Sequence, residues 1–186
     1  YTEYRRNIAI YLKFARYRNC KLIPMLKDPI AVFSADWLVK YFNMNAILMI
    51  RHPAGFISSL VKNNYGFNFD YLTNQQLLRD SILYKYEDDI NEINYKLKNN
   101  KKTRELIIEY GTLVWIILND LIVNYRILNK KWIYVRFEDL VSDPKHWLEL
   151  IYNKLNIKLS RTAKFKINYR LNVKKFRIKH DAWKNR

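Results

Sequence analysis

Arg51 and Ser59 are the residues whose types and spacing best suit the binding of a phosphate group. Arg51 ends the apolar run AILMIR at residues 46–51, and the helix-like segment PAGFISSLVKN follows from Pro53. An arginine fork can bond two phosphate oxygens, a helix start attracts anions through free N–H groups, and a serine hydroxyl can donate one more hydrogen bond. We therefore predict an anion site here. The alternative is an arginine bonded to a surface carboxylate and a serine bonded to its own helix.

The segments around this pair predict an α/β fold with a parallel sheet flanked by helices. Apolar runs at residues 20–26, 46–51 and 131–137 are typical of buried strands, and short turns with a proline lead from each run toward a helical pattern. In such sheets ligands bind beyond the carboxyl ends of the strands. That edge is where the polar residues after the first two runs fall, namely Lys27, Asp28, Arg51 and His52.

Two further patterns complete the prediction of structure. Apolar residues recur at helical spacing over residues 104–128, which predicts the longest helix of a helix-rich chain. Gly111 lies inside that pattern and either weakens the helix or lets a neighbour pack closely. Basic or polar residues alternate with apolar ones over residues 164–173, which predicts an exposed strand or extended arm. We expect residues 1–186 to form a single domain.

Composition limits the class of protein. The formal net charge is +17, and residues 161–186 contain ten Lys or Arg against one acid, Asp181. A basic surface attracts nucleic acid, anionic lipid, nucleotides or acidic sugars.

Cys20 is the only cysteine, which excludes an intrachain disulfide and a cysteine metal cluster and fits a cytoplasmic location. No apolar run reaches the ~18 residues that a membrane span needs, so we predict none.

Three segments, in order, resemble the sulfotransferases that use 3′-phosphoadenylyl sulfate (PAPS). ILMIRHPAGFISSL at residues 47–60 is similar to their 3′-phosphate-binding segment, an apolar strand, Arg, any residue, Pro, and Ser eight residues after the Arg. WIYVRFEDLVSDPKHWLELIYNKLNI at 132–157 resembles their later strand, turn and helix. MLKDPIAVFSADWL at 25–38 is similar to a segment of a bacterial branch. The resemblance implies the P-loop-nucleotide-hydrolase-like sulfotransferase fold.

The resemblance also implies an activity and its nucleotide contacts. Sulfotransferases move a sulfuryl group from PAPS to a hydroxyl or amine acceptor, and the basic charge permits an acidic acceptor such as a glycan. Arg51 and Ser59 would bind the 3′-phosphate. The end of the chain, FRIKHDAWKNR, resembles the segment that closes over that phosphate, which implies contacts from Arg177 and Lys179. A solvated basic arm is the alternative for these two residues.

The catalytic base departs from the family pattern. Many members carry a histidine after the strand that corresponds to KLIPML, where this chain has Lys27 and Asp28. Asp28 could take the proton of the acceptor and Lys27 could stabilise the sulfuryl oxygens. Alternatively, Asp28 caps a helix that opens at Pro29. His52 is a second candidate base, or it packs beside the nucleotide.

Acidic residues follow the last predicted strand, in the turn FEDL. Glu138 and Asp139 could serve as a general base or as metal ligands. We expect a structural role instead, with both carboxylates bonded to backbone N–H groups and neighbouring cations. We predict no metal.

A glycine-bearing phosphosulfate loop is the main missing feature. The chain holds three glycines, Gly55, Gly66 and Gly111, none placed to form that loop. We therefore expect an N-terminally truncated fragment that lacks the first strand and the loop and is inactive alone.

Two other functions stay open. Basic residues at 164–179 interleaved with Phe165, Tyr169 and Phe176 could bind nucleic acid, although the regular alternation favours packing on a sheet. The chain could also be an inactive relative that keeps the fold as a binding surface.

Overall fold

The apolar runs that precede Arg51 and Phe137 form two neighbouring parallel strands. In a computed structural model of the chain, β1 spans Ile47–Ile50 and β2 spans Ile133–Arg136, with Ile47 opposite Ile133. Parallel pairing puts the carboxyl ends of both strands at one edge of the sheet. The predicted parallel strands at residues 46–51 and 131–137 are confirmed, and Arg51 and Phe137 leave the sheet side by side.

The structure describes residues 23, 25–65, 69–99, 103–165 and 167. By its contacts the chain divides into two compact units, Tyr1–Ala31 and Val32–Arg186. No observation tests the predicted single domain over residues 1–186, which stays a prediction.

Helices dominate the second unit and make the fold helix-rich and broadly α/β. A 3₁₀ turn at Ala31–Ser34 leads into the first helix, and another lies at Leu83–Tyr86. The α-helices, in chain order, are α1 Ala35–Phe42, α2 Pro53–Lys62, α3 Asp70–Thr73, α4 Gln76–Ser81, α5 Glu87–Asn99, α6 Arg104–Leu128, α7 Phe137–Ser142 and α8 Pro144–Lys154.

Two predicted strands differ from the structure. Ile23, Met25 and Leu26 are exposed and belong to no strand, so the predicted buried strand over residues 20–26 is wrong at these positions. Pro24 between them has no N–H to give to a strand ladder.

The exposed strand or arm predicted over 164–173 is wrong at its start, because residues 161–165 are helical. Ser160 caps that turn by accepting the N–H of Ala163 at 3.1 Å. Residue 167 is helical as well, and the other residues of both segments lie outside those that the structure describes.

The two strands are covered on opposite faces by helices. On one face, Leu48 of β1 packs in a cluster with Leu121, Ile122 and Tyr125 of α6. On the other face, Ile133 and Val135 of β2 pack against Ile151 of α8. This arrangement confirms a parallel sheet flanked by helices for the part of the chain that the structure describes.

Helix α6 has the predicted bounds and forms the centre of the core. Thr103 caps it by accepting the N–H of Leu106 at 3.2 Å. Gly111 lies where α6 meets α2, and a Cβ there would come within 3.0 Å of Leu60 Cδ1. The second reading of Gly111, close packing with a neighbour, is therefore confirmed. Because α2 follows Arg51 directly, this contact anchors the helix that carries Ser59.

Helix α6 is also long and apolar enough to cross a membrane, judged by length and composition alone. In its most apolar stretch, 44% is buried inside the structure. A helix at the centre of a protein core passes the same test of length and composition. Its buried residues, which include Tyr110, Leu113 and Ile117, belong to the core clusters.

Candidate anion site at the strand ends

The Arg51 side chain lies between an aromatic ring and the first turn of α2. Its guanidinium carbon is 4.8 Å from the centre of the Phe137 ring, at the distance of a cation–π contact. On the other side, its Nε lies 3.2 Å from the point that a Cβ on residue 55 would occupy. Glycine at that position leaves room for the arginine. Arg51 is half-buried, and no ion pair joins it to a carboxylate among the described residues.

Ser59 lies one helical turn beyond Gly55. Residues four apart share a helix face, so Ser59 is on the same face of α2 as Gly55, the residue beside which Arg51 lies. Its carbonyl accepts from the backbone N–H of Asn63 at 3.2 Å and from Asn63 Nδ2 at 2.7 Å. Its hydroxyl makes no hydrogen bond within the described ranges. The reading in which Arg51 pairs with a carboxylate and Ser59 bonds its own helix is thus not found in the described chain.

The start of α2 differs from the expectation of several free N–H groups. His52 donates its backbone N–H to Glu138 Oε1 at 3.0 Å, and its ring Nδ1 accepts the N–H of Ala54 at 3.2 Å. Pro53 has no N–H. In the first turn, only Gly55 keeps an N–H with no hydrogen bond to the described chain. The first turn therefore offers one free N–H within the described chain, because the His52 ring takes the Ala54 N–H and proline has none.

Glu138 takes the structural role predicted for it. The hydrogen bond from His52 N–H, followed by one from its own backbone N–H, lowers the pKa of the Glu138 carboxyl below its ordinary value. Burial raises this pKa and ranks next in size, and the attraction of Arg136 and His52 adds smaller effects that lower it. Asp139 Oδ2 is 3.9 Å from Arg136 Nε, so it too faces a cation. These contacts confirm the structural reading of the FEDL turn.

Trp115 of α6 is a site residue that the sequence did not single out. Its indole Nε1 donates to the carbonyl oxygen of Arg51 at 2.8 Å. Phe137 was likewise missed as the ring beneath Arg51. The available sequence signal for Trp115 was weak: it is a tryptophan within a helix of mostly aliphatic residues. Its partner lies 64 residues earlier, which no local pattern indicates.

His52 is poorly prepared to act as a general base. Because Nδ1 accepts a hydrogen bond, the neutral ring must carry its proton on Nε2. The exposed nitrogen is then a donor and cannot take a proton from an acceptor hydroxyl. Protonation of Nδ1 would instead break the cap at Ala54.

Lys27 and Asp28 belong to the first unit and are exposed. Asp28 Oδ1 accepts the N–H of Ile30 at 2.8 Å. This contact supports a local turn, but the helix begins at Ala31 as a 3₁₀ turn, so its predicted opening at Pro29 is wrong. Arg177 and Lys179 lie outside the described residues.

Comparisons with known proteins add no family assignment. No family model, curated protein or solved structure matches this chain. Among the described residues, no group of three or more His, Cys, Asp or Glu is placed to hold a metal ion. The functional argument therefore depends on the geometry of the strand ends.

Proposed function

We propose that this chain is a sulfotransferase-type domain that binds the nucleotide of PAPS and moves its sulfuryl group to a hydroxyl or amine acceptor. The observation that supports the proposal is the position of Arg51. Its guanidinium lies at the carboxyl edge of a parallel strand pair, beside Gly55 in the first turn of the helix that carries Ser59. The proposed fold is the P-loop-nucleotide-hydrolase-like fold of these enzymes.

The donors around Arg51 suit a phosphate dianion. The guanidinium supplies two N–H groups in a plane, and the Ser59 hydroxyl and the Gly55 N–H have no other partner within the described part of the chain. The Phe137 ring restricts the arginine, so less rotamer freedom is lost on binding. The phosphate would approach the side of α2, since Glu138 already occupies its end.

The 5′-phosphosulfate half of PAPS needs binding groups that the Arg51 site does not supply. Gly55 and Gly111 are helical, so neither forms a loop that could hold a 5′-phosphosulfate. We therefore assign Arg51 and Ser59 to the nucleotide 3′-phosphate. Arg177 and Lys179 are proposed as further contacts to the same phosphate.

Sulfuryl transfer also needs a base and a positive charge at the reacting centre. PAPS supplies the sulfuryl group and a bisphosphate leaving group. We propose that Asp28 accepts the acceptor's proton as its oxygen or nitrogen attacks sulfur, and that Lys27 balances charge on the sulfuryl oxygens. An acidic glycan suits the net charge of +17. The cytoplasmic location stays a prediction.

A calorimetric titration with adenosine 3′,5′-bisphosphate tests the phosphate site. The 186-residue chain should bind it more tightly than adenosine 5′-monophosphate by about tenfold or more, as expected for charge-assisted hydrogen bonds to the added phosphate. Arg51→Ala should abolish this preference. Arg51→Lys should weaken binding by about tenfold, because an ammonium cannot form the fork.

Arg136→Ala is the matched control for these variants. Arg136 ends the neighbouring strand and is exposed, so its removal should leave the preference intact. Equal affinity for the two nucleotides in the unmodified chain would overturn the proposal. Binding of a single-stranded oligonucleotide that falls steeply with salt and ignores Arg51→Ala would favour nucleic-acid binding instead.

A further inference from the structure

A single peptide group at the end of β1 is hydrogen-bonded on both of its sides. The carbonyl of Arg51 and the N–H of His52 belong to the same peptide plane. The carbonyl accepts from Trp115 Nε1 at 2.8 Å, and the N–H donates to Glu138 Oε1 at 3.0 Å. The two partners come from α6 and α7, 64 and 86 residues away along the chain.

The orientation of this plane decides where two neighbouring groups lie. A peptide group is rigid, so its rotation changes ψ of Arg51 and φ of His52 together. The first angle affects how the Arg51 side chain sits at the sheet edge, and the second affects how the chain enters α2. Rotation away from the observed plane would break both hydrogen bonds at once.

We propose that Trp115 and Glu138 are positioning residues that act through the 51–52 peptide to hold the Arg51 guanidinium between the Phe137 ring and the turn at Gly55. The identity of the ligand that the guanidinium would bind depends on the proposed function. The positioning itself does not, and it can be measured with no ligand present.

Trp115 and Glu138 contribute through different chemistry, which allows them to be separated. Trp115→Phe keeps an aromatic ring in α6 and removes only the donor nitrogen and part of the ring system. Glu138→Gln keeps an oxygen that can accept from His52 and removes the charge. Glu138→Ala removes the acceptor as well, so the pair of Glu138 variants distinguishes the hydrogen bond from the charge.

The first measurement is amide hydrogen exchange of His52 by NMR. Trp115→Phe should speed this exchange about tenfold although the indole does not touch the His52 N–H, because loss of one bond frees the whole peptide plane. Glu138→Ala should have an effect of similar size, and Glu138→Gln should have little.

The second measurement is the NMR signal of the Arg51 Nε–H group. The Phe137 ring should shift this signal in the native chain, since the guanidinium carbon lies 4.8 Å from the ring centre. In Trp115→Phe and Glu138→Ala the signal should move toward that of a free arginine. This readout reports where the arginine lies and would not change if the variants only lowered global stability.

Matched controls come from the same surroundings. Trp147→Phe changes another half-buried tryptophan, in α8, and Asp139→Asn removes the carboxylate next to Glu138. Neither residue has a hydrogen bond to the 51–52 peptide among the described residues. Both variants should leave the His52 exchange rate and the Arg51 signal unchanged.

The outcomes separate this inference from the proposed function. An unchanged His52 rate or Arg51 signal in both Trp115→Phe and Glu138→Ala would overturn the positioning role, whatever the ligand. If both readouts change but the native chain binds no adenosine 3′,5′-bisphosphate, the positioning stands and the proposed function fails. If the native chain binds it, Trp115→Phe should weaken binding about fivefold, and an unweakened affinity would overturn the role in ligand binding.

Discussion

Two short segments, Lys27-Asp28-Pro29 and Arg51-His52-Pro53, share a pattern of a basic residue, a polar residue and a proline after an apolar run. Their middle residues even make the same local contact. Asp28 accepts the N–H of Ile30 at 2.8 Å, and the His52 ring accepts the N–H of Ala54 at 3.2 Å. Only the second segment follows a strand in the described chain. The same local capping contact therefore occurs both after a strand and where no strand precedes it.

The difference lies in contacts from distant parts of the chain. Around Arg51 and His52, hydrogen bonds arrive from Trp115 and Glu138, and the Phe137 ring lies beneath the guanidinium. Around Asp28, the described residues provide no hydrogen bond or ion pair beyond the local one to Ile30. A capping turn can be formed by three or four residues, whereas a defined side-chain position needs partners from several elements.

Of the substitutions that test this comparison, Gly55→Ala should have the largest effect, on the position of Arg51 and on ligand affinity. Its new Cβ would lie 3.2 Å from Arg51 Nε, so the guanidinium must shift by a few tenths of an ångström from its place beside Gly55. Bisphosphate affinity should fall about fivefold, the equivalent of ~1 kcal/mol for one hydrogen bond to the phosphate that the displaced guanidinium no longer makes. Alanine is a better helix former, so the free energy of unfolding should be unchanged or higher by up to about 1 kcal/mol. Calorimetry and thermal unfolding measure the two effects, and unchanged affinity would contradict the packing described for Arg51.

Acid should lower the stability of the folded chain at the Arg51 segment by protonating Glu138. The pKa of Glu138 is lowered in the folded chain, chiefly by the hydrogen bond from His52. Its contribution to stability is therefore present above the unfolded pKa of about 4.3 and is lost as the pH falls through the lower folded value. Arg136 and His52 are the charged or titratable groups that act on it.

Glu138→Gln removes this titration while keeping an acceptor for His52. Thermal unfolding between pH 7 and about pH 3 should show a smaller loss of stability in Glu138→Gln than in the native chain. Asp139→Asn serves as the control for a general loss of acidic charge. Parallel pH profiles for the native chain and Glu138→Gln would contradict the assignment.

Asp28→Asn should have the smallest effect on stability. Its side-chain oxygen can still accept the N–H of Ile30, and the residue is exposed, so the free energy of unfolding should change by less than about 0.5 kcal/mol. If Asp28 is the proposed base, the same variant should reduce sulfuryl transfer strongly in an active preparation. A stability loss well beyond this range would show that the 27–29 segment has contacts like those of Arg51.

The local elements of this fold were largely predictable. The bounds of α6, the starts of α2 and α8 at prolines, and the parallel strands before Arg51 and Phe137 all follow from periodicity and turn chemistry. The failures have local causes too. Pro24 interrupts the run at residues 20–26, and Ser160 provides a helix cap just before the alternating residues 164–173.

For the site, the sequence predicted individual residues but not the contacts between distant segments. Arg51 and Ser59 could be chosen because spacing along one helix face is a local property. The roles of Trp115 and Phe137 could not, because both depend on which segments meet across 60 residues or more. The bond from the His52 N–H to Glu138 was hidden for the same reason, since Glu138 follows the far end of β2, whereas the bond from the Ala54 N–H to the His52 ring is local.

The carboxylate of Glu138 gives the start of α2 a counter-charge from within the molecule at neutral pH. With the N–H groups of His52 and Ala54 already bonded inside the molecule, the helix keeps its first turn whether or not a ligand is present. The empty and occupied forms should therefore share one backbone at residues 51–56. Binding energy would be spent on the nucleotide itself, with little lost to ordering of the protein.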